Sequence, residues 1–245
     1  MSDATIIIPA RWGSVRFPGK ALAPLLGKPL IQHTWERCLA VKRAARVIVA
    51  TDDMRIAEAV FDFGAEVSMT SSKHPTGSDR LAEVAEKLKG CKHVINVQGD
   101  EPTISPKLID QLIAELEDDS KLAMITAATP FLDLDAARDP NNVKVVTNLV
   151  GDALYFSRSR IPFDRDGDAK RTPLHHLGIY GYRRKFLLEF VKWKPTELEL
   201  AEKLEQLRAL EHGARIRVVR TKKRSVGVDT PEDVGAAEAA LRELG

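Results

Sequence analysis

Short β-branched runs alternate with amphipathic segments through the first half of the chain. "TIIIP" (5–9) precedes "KPLIQHTWERCLAV" (28–41), and "RVIVATD" (46–52) precedes "RIAEAVFDFG" (55–64). "EVSMT" (66–70) precedes "DRLAEVAEKL" (79–88), and "HVINVQGD" (93–100) precedes "SPKLIDQLIAELED" (105–118). Strands that are apolar without alternation are buried on both faces, so this rhythm predicts βαβ units building a parallel sheet, an α/β fold. After Leu122 the rhythm changes to the strand-like "AMITAAT", "NNVKVVTN", "ALYFSRS" and "HHLGIYGYRR", interrupted by the charged, turn-rich "DRDGDAKRTP". That change predicts a small mixed or antiparallel lobe inserted near 125–183 in a single domain spanning 1–245. Two helices, about Glu197–Glu211 and Pro231–Glu243, flank a last strand, "RIRVVRT", that can rejoin the main sheet.

The 245 residues suffice for a sizeable core, and 37 basic against 35 acidic residues exclude a protein working mainly by neutralising nucleic-acid phosphates. Positive charge must therefore act locally. Cys38 and Cys91 lack metal or redox spacing, and no apolar run reaches the length of a membrane span, which together predict a soluble, cytoplasmic protein.

In an open parallel sheet, ligands gather beyond the carboxyl ends of the strands. Three loops there are chemically unusual. "ARWGSVRFPGK" (10–20) puts Arg11, Arg16 and Lys20 on a loop with Gly13, Gly19 and Pro18. It matches neither the dinucleotide fingerprint nor a Walker loop, yet guanidinium forks and backbone N–H groups can still surround a phosphate; a solvated surface turn is the plain alternative. "NVQGDEPTISP" places Asp100 and Glu101 after an apolar strand, where a carboxylate can hold a hard cation; Ser105 and Pro106 read as the cap and first residue of a helix. "TGSDR" (76–80) fits a capping box of Thr76 with Asp79, with Gly77 and Arg80 able to read a base. "GVDTPED" caps in the same way through Thr230 and Asp233, leaving Asp229 free to pair with Asp100 as a second metal ligand.

Strand periodicity sets His176, Gly178, Tyr180 and Tyr182 on one face, a polar and aromatic surface suited to a sugar or to a half-exposed sheet. On "ELAEKLEQLRALEHG", Glu205, Gln206 and Arg208 fall off the apolar stripe, which predicts a solvated helix face with Glu205 and Arg208 paired at i,i+3.

Taken in order, "PARWGSVRFPGKAL", "TGSDRLAEV", "NVQGDEP", "NNVKVV", "ALYFSRSRIPFDRD", "HHLGIYGYRR", "EKLEQLRALEHG" and "GVDTPED" resemble the 3-deoxy-manno-octulosonate (Kdo) cytidylyltransferases, or CMP-Kdo synthetases, over about residues 6–235. The resemblance implies a Rossmann-like sheet of the nucleotide-diphospho-sugar transferase type. It also implies a Mg2+-dependent transfer of CMP from CTP to the anomeric hydroxyl of Kdo, with release of pyrophosphate, for the lipopolysaccharide inner core. By the same resemblance, Ala10, Arg11, Gly13, Ser14, Arg16, Lys20 and Asp100 handle the triphosphate. Thr76, Gly77, Ser78, Arg80 and Gln98 fall where the family contacts cytidine and ribose. Gln98, Arg158, Arg165, His176, Tyr180, Glu205 and Gln206 fall in its sugar pocket, and Asp100 and Asp229 on its metal. The implied partners are CTP, Kdo and a second copy of the chain through the 125–183 lobe, with no nucleic acid and no stable membrane association. Val15 stands where Thr or Ser is frequent, Ala21 where Pro is frequent, and Thr76 and Ser78 exchange the usual Ser and Thr. A cytidylyltransferase for a sialic acid or for the 8-amino relative of Kdo, or a non-catalytic nucleotide-binding homologue, would share much of this pattern.

Overall fold

A computed structural model describes residues 3–14, 16–165 and 172–244. In chain order the strands are β1 (Ala4–Ala10), β2 (Pro24–Leu25), β3 (Lys28–Pro29), β4 (Ala44–Thr51), β5 (Glu66–Met69), β6 (His93–Asn96) and β7 (Met124–Pro130), followed by β8 (Lys144–Thr147), β9 (Ala153–Ser157), β10 (Leu174–Arg183) and β11 (Ile216–Arg220). The helices are α1 (Leu30–Leu39), α2 (Met54–Asp62), α3 (Gly77–Lys87), α4 (Pro106–Asp118), α5 (Arg184–Phe190), α6 (Glu197–Glu202), α7 (Gln206–Glu211) and α8 (Val234–Leu244). The main row runs β11-β7-β10-β6-β1-β4-β5. β10 is antiparallel to both β6 and β7, while every other pairing in the row is parallel. All strands of the row except β10 therefore point the same way, and their following loops collect at one edge.

The continuous apolar runs are explained by two cores, one on each face of the sheet. Ile6 and Ile8 of β1 join Ile31 of α1, Ile56 of α2 and Leu112 of α4 on one face. Ile7, between them, turns to the other face with Leu81 of α3 and Leu187 of α5. Neither face of β1 meets water, so alternation has nothing to record in the sequence.

The segment near 125–183 is organised differently from a separate lobe. Its first and last strands, β7 and β10, are neighbours in the main row, and only β8 and β9 leave it. The ten residues of β10 allow this, because Tyr180–Arg183 pair with β6 while Leu174 and His175 pair with β8. A two-residue irregularity lies between Leu177 and Tyr180, so that His176 opposes Ala128 and Tyr180 opposes Thr126. Two extra residues leave the side-chain alternation in phase, and His176, Tyr180 and Tyr182 stay on one face as the spacing predicts.

Both predicted capping boxes form, Thr76 with Asp79 at the start of α3 and Thr230 with Asp233 before α8. Ser105 sits at the cap position of α4 without a side-chain bond. Among the described residues no helix is long and apolar enough to cross a membrane.

Gly181 on β10 is a point of close approach. A Cβ there would meet Ile125 at 2.7 Å, Leu116 at 2.8 Å and Ile95 at 3.0 Å. Gly181→Ala should destabilise the fold by about 1–3 kcal/mol through overpacking, read as a lower urea midpoint with an unchanged slope.

Candidate active site

The basic loop after β1 is folded back on itself by backbone bonds from Ser14 N and Gly19 N to the Trp12 carbonyl, at 2.9 and 3.0 Å. Gly19 has φ +71°, and a Cβ on it would come within 3.1 Å of the Trp12 indole. The indole lies under the Arg55 guanidinium of α2, 3.4 Å from the ring centroid. A glycine is thus required twice over at position 19, by its dihedral angle and by the ring that covers it. Val15 lies outside the described residues.

The loop delivers Lys20 to the point where two distant segments meet. Its ammonium Nζ donates to Asp100 Oδ2 at 2.5 Å and to Asp229 Oδ1 at 3.2 Å. Arg16 reaches the same Asp229 oxygen at 3.2 Å. Asp100 and Asp229, far apart in the chain, therefore converge on one ammonium. Among the described residues no group of three or more His, Cys, Asp and Glu side chains is placed to hold a metal. Two carboxylates converging on one cation suit Mg2+, which completes its shell with water and substrate phosphate rather than with a protein cage.

Three cavities open around this junction. The first, about 410 Å³, is lined by Ala10, Arg11, Gly13, Ser14, Arg16 and Lys20 from the basic loop, by Gly77 and Arg80 from α3, and by Gln98, Asp100 and Asp229. Arg80 is buried in its wall and held by Asp52 at 3.0 Å and by the Thr70 hydroxyl. The second, about 140 Å³, lies between Arg11, Ser78, Gln98, Tyr180, Glu205 and Gln206, among others. The third, about 550 Å³, is bounded by Gln98, Glu101, Asn142, His176, Tyr180, Gln206 and Asp229. Gln98 borders all three, and Asp229 borders the first and the third. They share lining residues, and together they give the site a basic side and a polar, aromatic side.

The expected single helix over Glu197–Glu211 is broken. Lys203 adopts φ +54°, the left-handed region that a lysine rarely occupies, and divides α6 from α7. The break turns Glu205, Gln206 and Arg208 inward, where a continuous helix would have left them solvated; Gln206 and Arg208 are buried. Arg208 spends its guanidinium on Glu199, at 2.6 and 2.7 Å, and is only 3.5 Å from Glu205. Glu205, so paired with Arg208 at i,i+3 as the spacing predicts, also accepts from the Ser78 hydroxyl at 2.7 Å. The Gln206 side-chain amide nitrogen is buried with no protein partner, beside two of the cavities. A buried donor without a partner marks a place for a ligand acceptor.

A cytidylyltransferase family profile matches residues 5–216. The 3-deoxy-manno-octulosonate cytidylyltransferase of Geobacter sulfurreducens is 54% identical over 99% of each chain, and that of Idiomarina loihiensis is 48% identical over 95% of this chain and 96% of its own. The chain belongs to the 3-deoxy-manno-octulosonate cytidylyltransferase family. A solved CMP:2-keto-3-deoxy-manno-octonic acid synthetase in complex with CTP superposes over the whole of both chains with a TM-score of 0.95 at 43% identity. The 4-diphosphocytidyl-2C-methyl-D-erythritol synthase of Anaerococcus prevotii is 17% identical with a TM-score of 0.66, covering 98% of this chain and 96% of its own, a likeness of fold alone.

Of the residues that the family resemblance points to, three stand apart from the cleft walls. Thr76 is engaged in capping α3. Arg158 donates to the carbonyls of Glu202, Lys203 and Pro140, so that it clamps the break between α6 and α7. Arg165 is exposed. Conversely, Asn96 and Asn142 border the cleft without having been singled out by the sequence, and Glu101, named there beside Asp100, borders it too. Asn96 had a signal, as the one amide in the apolar strand β6; it accepts from Gln98 at 3.3 Å.

Burial sets the protonation of this wall. His176 is enclosed, bonded to the Thr126 hydroxyl at 2.9 Å, and burial with the neighbouring His175 carries its pKa down to about 3, leaving it neutral. Burial raises the Glu205 carboxyl above its ordinary value, against the opposing pull of Ser78 and Arg208, and it pushes Glu101 up to about 7. For Glu205 the folded chain holds its proton to higher pH than the unfolded chain does. Its contribution to stability is therefore present at acid pH and is lost as pH rises through the folded value. Glu205→Gln removes that loss, so the variant's stability relative to the parent should be more favourable at about pH 8 than at about pH 4, as read by urea unfolding.

Proposed function

We propose that the chain transfers the cytidylyl group of CTP to the anomeric hydroxyl of Kdo, giving CMP-Kdo and pyrophosphate. The hydroxyl oxygen forms a bond to the α-phosphorus, the bond to the β-phosphate oxygen breaks, and the hydroxyl loses its proton. The observation that carries this reading is the junction of Lys20 with Asp100 and Asp229 on the wall of the basic cavity, where Asp229 also borders the cavity lined by His176, Tyr180 and Gln206. The names of relatives about half identical along nearly the whole chain support the same substrates.

Arg11, Arg16 and Lys20 meet a triphosphate whose departing pyrophosphate gains negative charge as the bond breaks, so their attraction is strongest in the transition state. Gly13 and Ser14 bring backbone close to the same cavity. Gly77, Arg80 and Gln98 bound the base and ribose end. His176, Tyr180, Glu205 and Gln206 supply donors and acceptors to the sugar hydroxyls. Mg2+, held by Asp100 and Asp229, would neutralise phosphate charge and orient the in-line displacement.

The product is an activated sugar for the lipopolysaccharide inner core, and the reaction belongs to the cytoplasm. The active form is a homodimer joined through the hairpin of β8 and β9. That hairpin carries Leu149, Val150 and Leu154 exposed, and β9 pairs with β8 alone among the described strands. Apolar side chains left exposed on an edge hairpin call for a cover.

Pyrophosphate release from CTP and Mg2+ should require Kdo and be weaker with 8-amino-Kdo or a sialic acid; no release with Kdo would overturn the assignment. Lys20→Ala should lower kcat by about 10²-fold or more, with a smaller change in the KM for Kdo. Asp100→Ala and Asp229→Ala should each abolish Mg2+-dependent turnover, and near-normal rates in either would remove that residue from the metal site. In sedimentation the chain should run as a dimer, and Leu154→Lys should shift it to the monomer.

A further inference from the structure

Asp229 comes from a part of the chain far from Asp100, and something must hold the two together to within the reach of one ammonium. The seam that does so lies between the turn 100–103 and the strap 225–229. Val228 N donates to the Asp100 carbonyl at 2.9 Å. Val226 N donates to the Thr103 hydroxyl at 2.7 Å, and the Ser225 hydroxyl lies 3.2 Å from the same oxygen. Thr103 is buried.

At the centre of this seam the Glu101 side chain lies against Gly227. A Cβ at Gly227 would come within 3.2 Å of Glu101 Oε1 and 3.5 Å of the Asp100 carbonyl oxygen. The Ser225 hydroxyl lies within hydrogen-bonding reach of the Glu101 carboxyl. The second oxygen, Oε2, is buried with no protein partner. Glu101 does not line the basic cavity and borders only the third. It fills the space that the missing side chain of Gly227 leaves.

We infer that Glu101 and Gly227 are a complementary pair of positioning residues that set the distance between Asp229 and Asp100, and through it the affinity of the site for the divalent cation. The inference rests on the metal role proposed for the two aspartates. Its physical content is shape, since an amide of the same outline should serve at position 101 nearly as well as the acid. A small displacement of a ligand is expected to appear in metal affinity and kcat, while the KM for CTP, set by the basic loop and Gln98, should hardly move.

The test is a double-mutant cycle with two readouts, binding of Mn2+ in the presence of CTP followed by the signal of the free ion, and steady-state rates. Gly227→Ala should weaken Mn2+ binding and lower kcat by about tenfold, with the KM for CTP within about twofold of the parent. Glu101→Ala should have an effect of similar size. In the double variant the added methyl no longer meets Oε1, so its loss should be at least about fivefold smaller than the product of the single losses. Glu101→Gln should bind Mn2+ within about threefold of the parent, since outline and hydrogen bonding are kept. Near-ultraviolet circular dichroism identifies any variant that fails to fold, and Glu101→Gln, the mildest change, keeps the test decisive if another is lost. Multiplicative losses in the cycle would overturn the inference, as would Glu101→Gln binding Mn2+ as poorly as Glu101→Ala, which would give the acid a role of its own. Absence of activity with Kdo in the parent chain would overturn the substrate assignment alone, because the Mn2+ readout does not use the sugar.

Discussion

Two carboxylates facing each other across a cleft repel, and the ammonium of Lys20 is what allows Asp100 and Asp229 to do so in the free protein. Each member of this triad comes from a different part of the chain. Lys20 ends the loop after β1, Asp100 follows β6 at the middle of the sheet, and Asp229 precedes α8. The parallel sheet places the first two at one edge, because β1 and β6 are neighbours running the same way. The third arrives on a strap bonded back to the turn after Asp100. The phosphate and sugar ends of the cleft owe their adjacency to this crossing point.

Much of the frame was legible because its causes are local. Continuous apolar runs announce strands covered on both faces, and Thr76 with Asp79 announces a helix start whatever else the loop does. The charged loop was legible as chemistry because Gly19, Pro18 and three cations have little reason to gather in a plain turn. The break at Lys203 was not legible. Its residues have good helical periodicity, and the left-handed lysine is imposed by contacts from elsewhere, Arg158 on the carbonyls of Glu202 and Lys203 and Glu199 on Arg208. Propensity cannot report a conformation set by tertiary bonds.

The sugar wall shows the same division. Its alternation was readable from His176 to Tyr182, whereas the register irregularity and the burial of Glu205 and Gln206 were not. A polar residue at a helical position off the apolar stripe looks solvated until the neighbouring element that covers it is known. The packing of Glu101 was hidden for a related reason. Beside Asp100 at a strand end it reads as a carboxylate able to hold a cation, and only the glycine at 227 reveals that its side chain is packed.

The irregularity in β10 has a consequence for how such a cleft can diversify. A strand that gains a single residue with no bulge to absorb it turns every later side chain to the opposite face, so His176 and Tyr180 would part company and one of the two cores would be breached. Gaining residues in pairs preserves which side each ring occupies while lengthening the wall between them. Insertions of even size at Gly178 and Ile179 are therefore changes that the sheet can absorb without refolding, and they alter the span available to a sugar. The pleat of the strand acts there as a parity check on heritable variation.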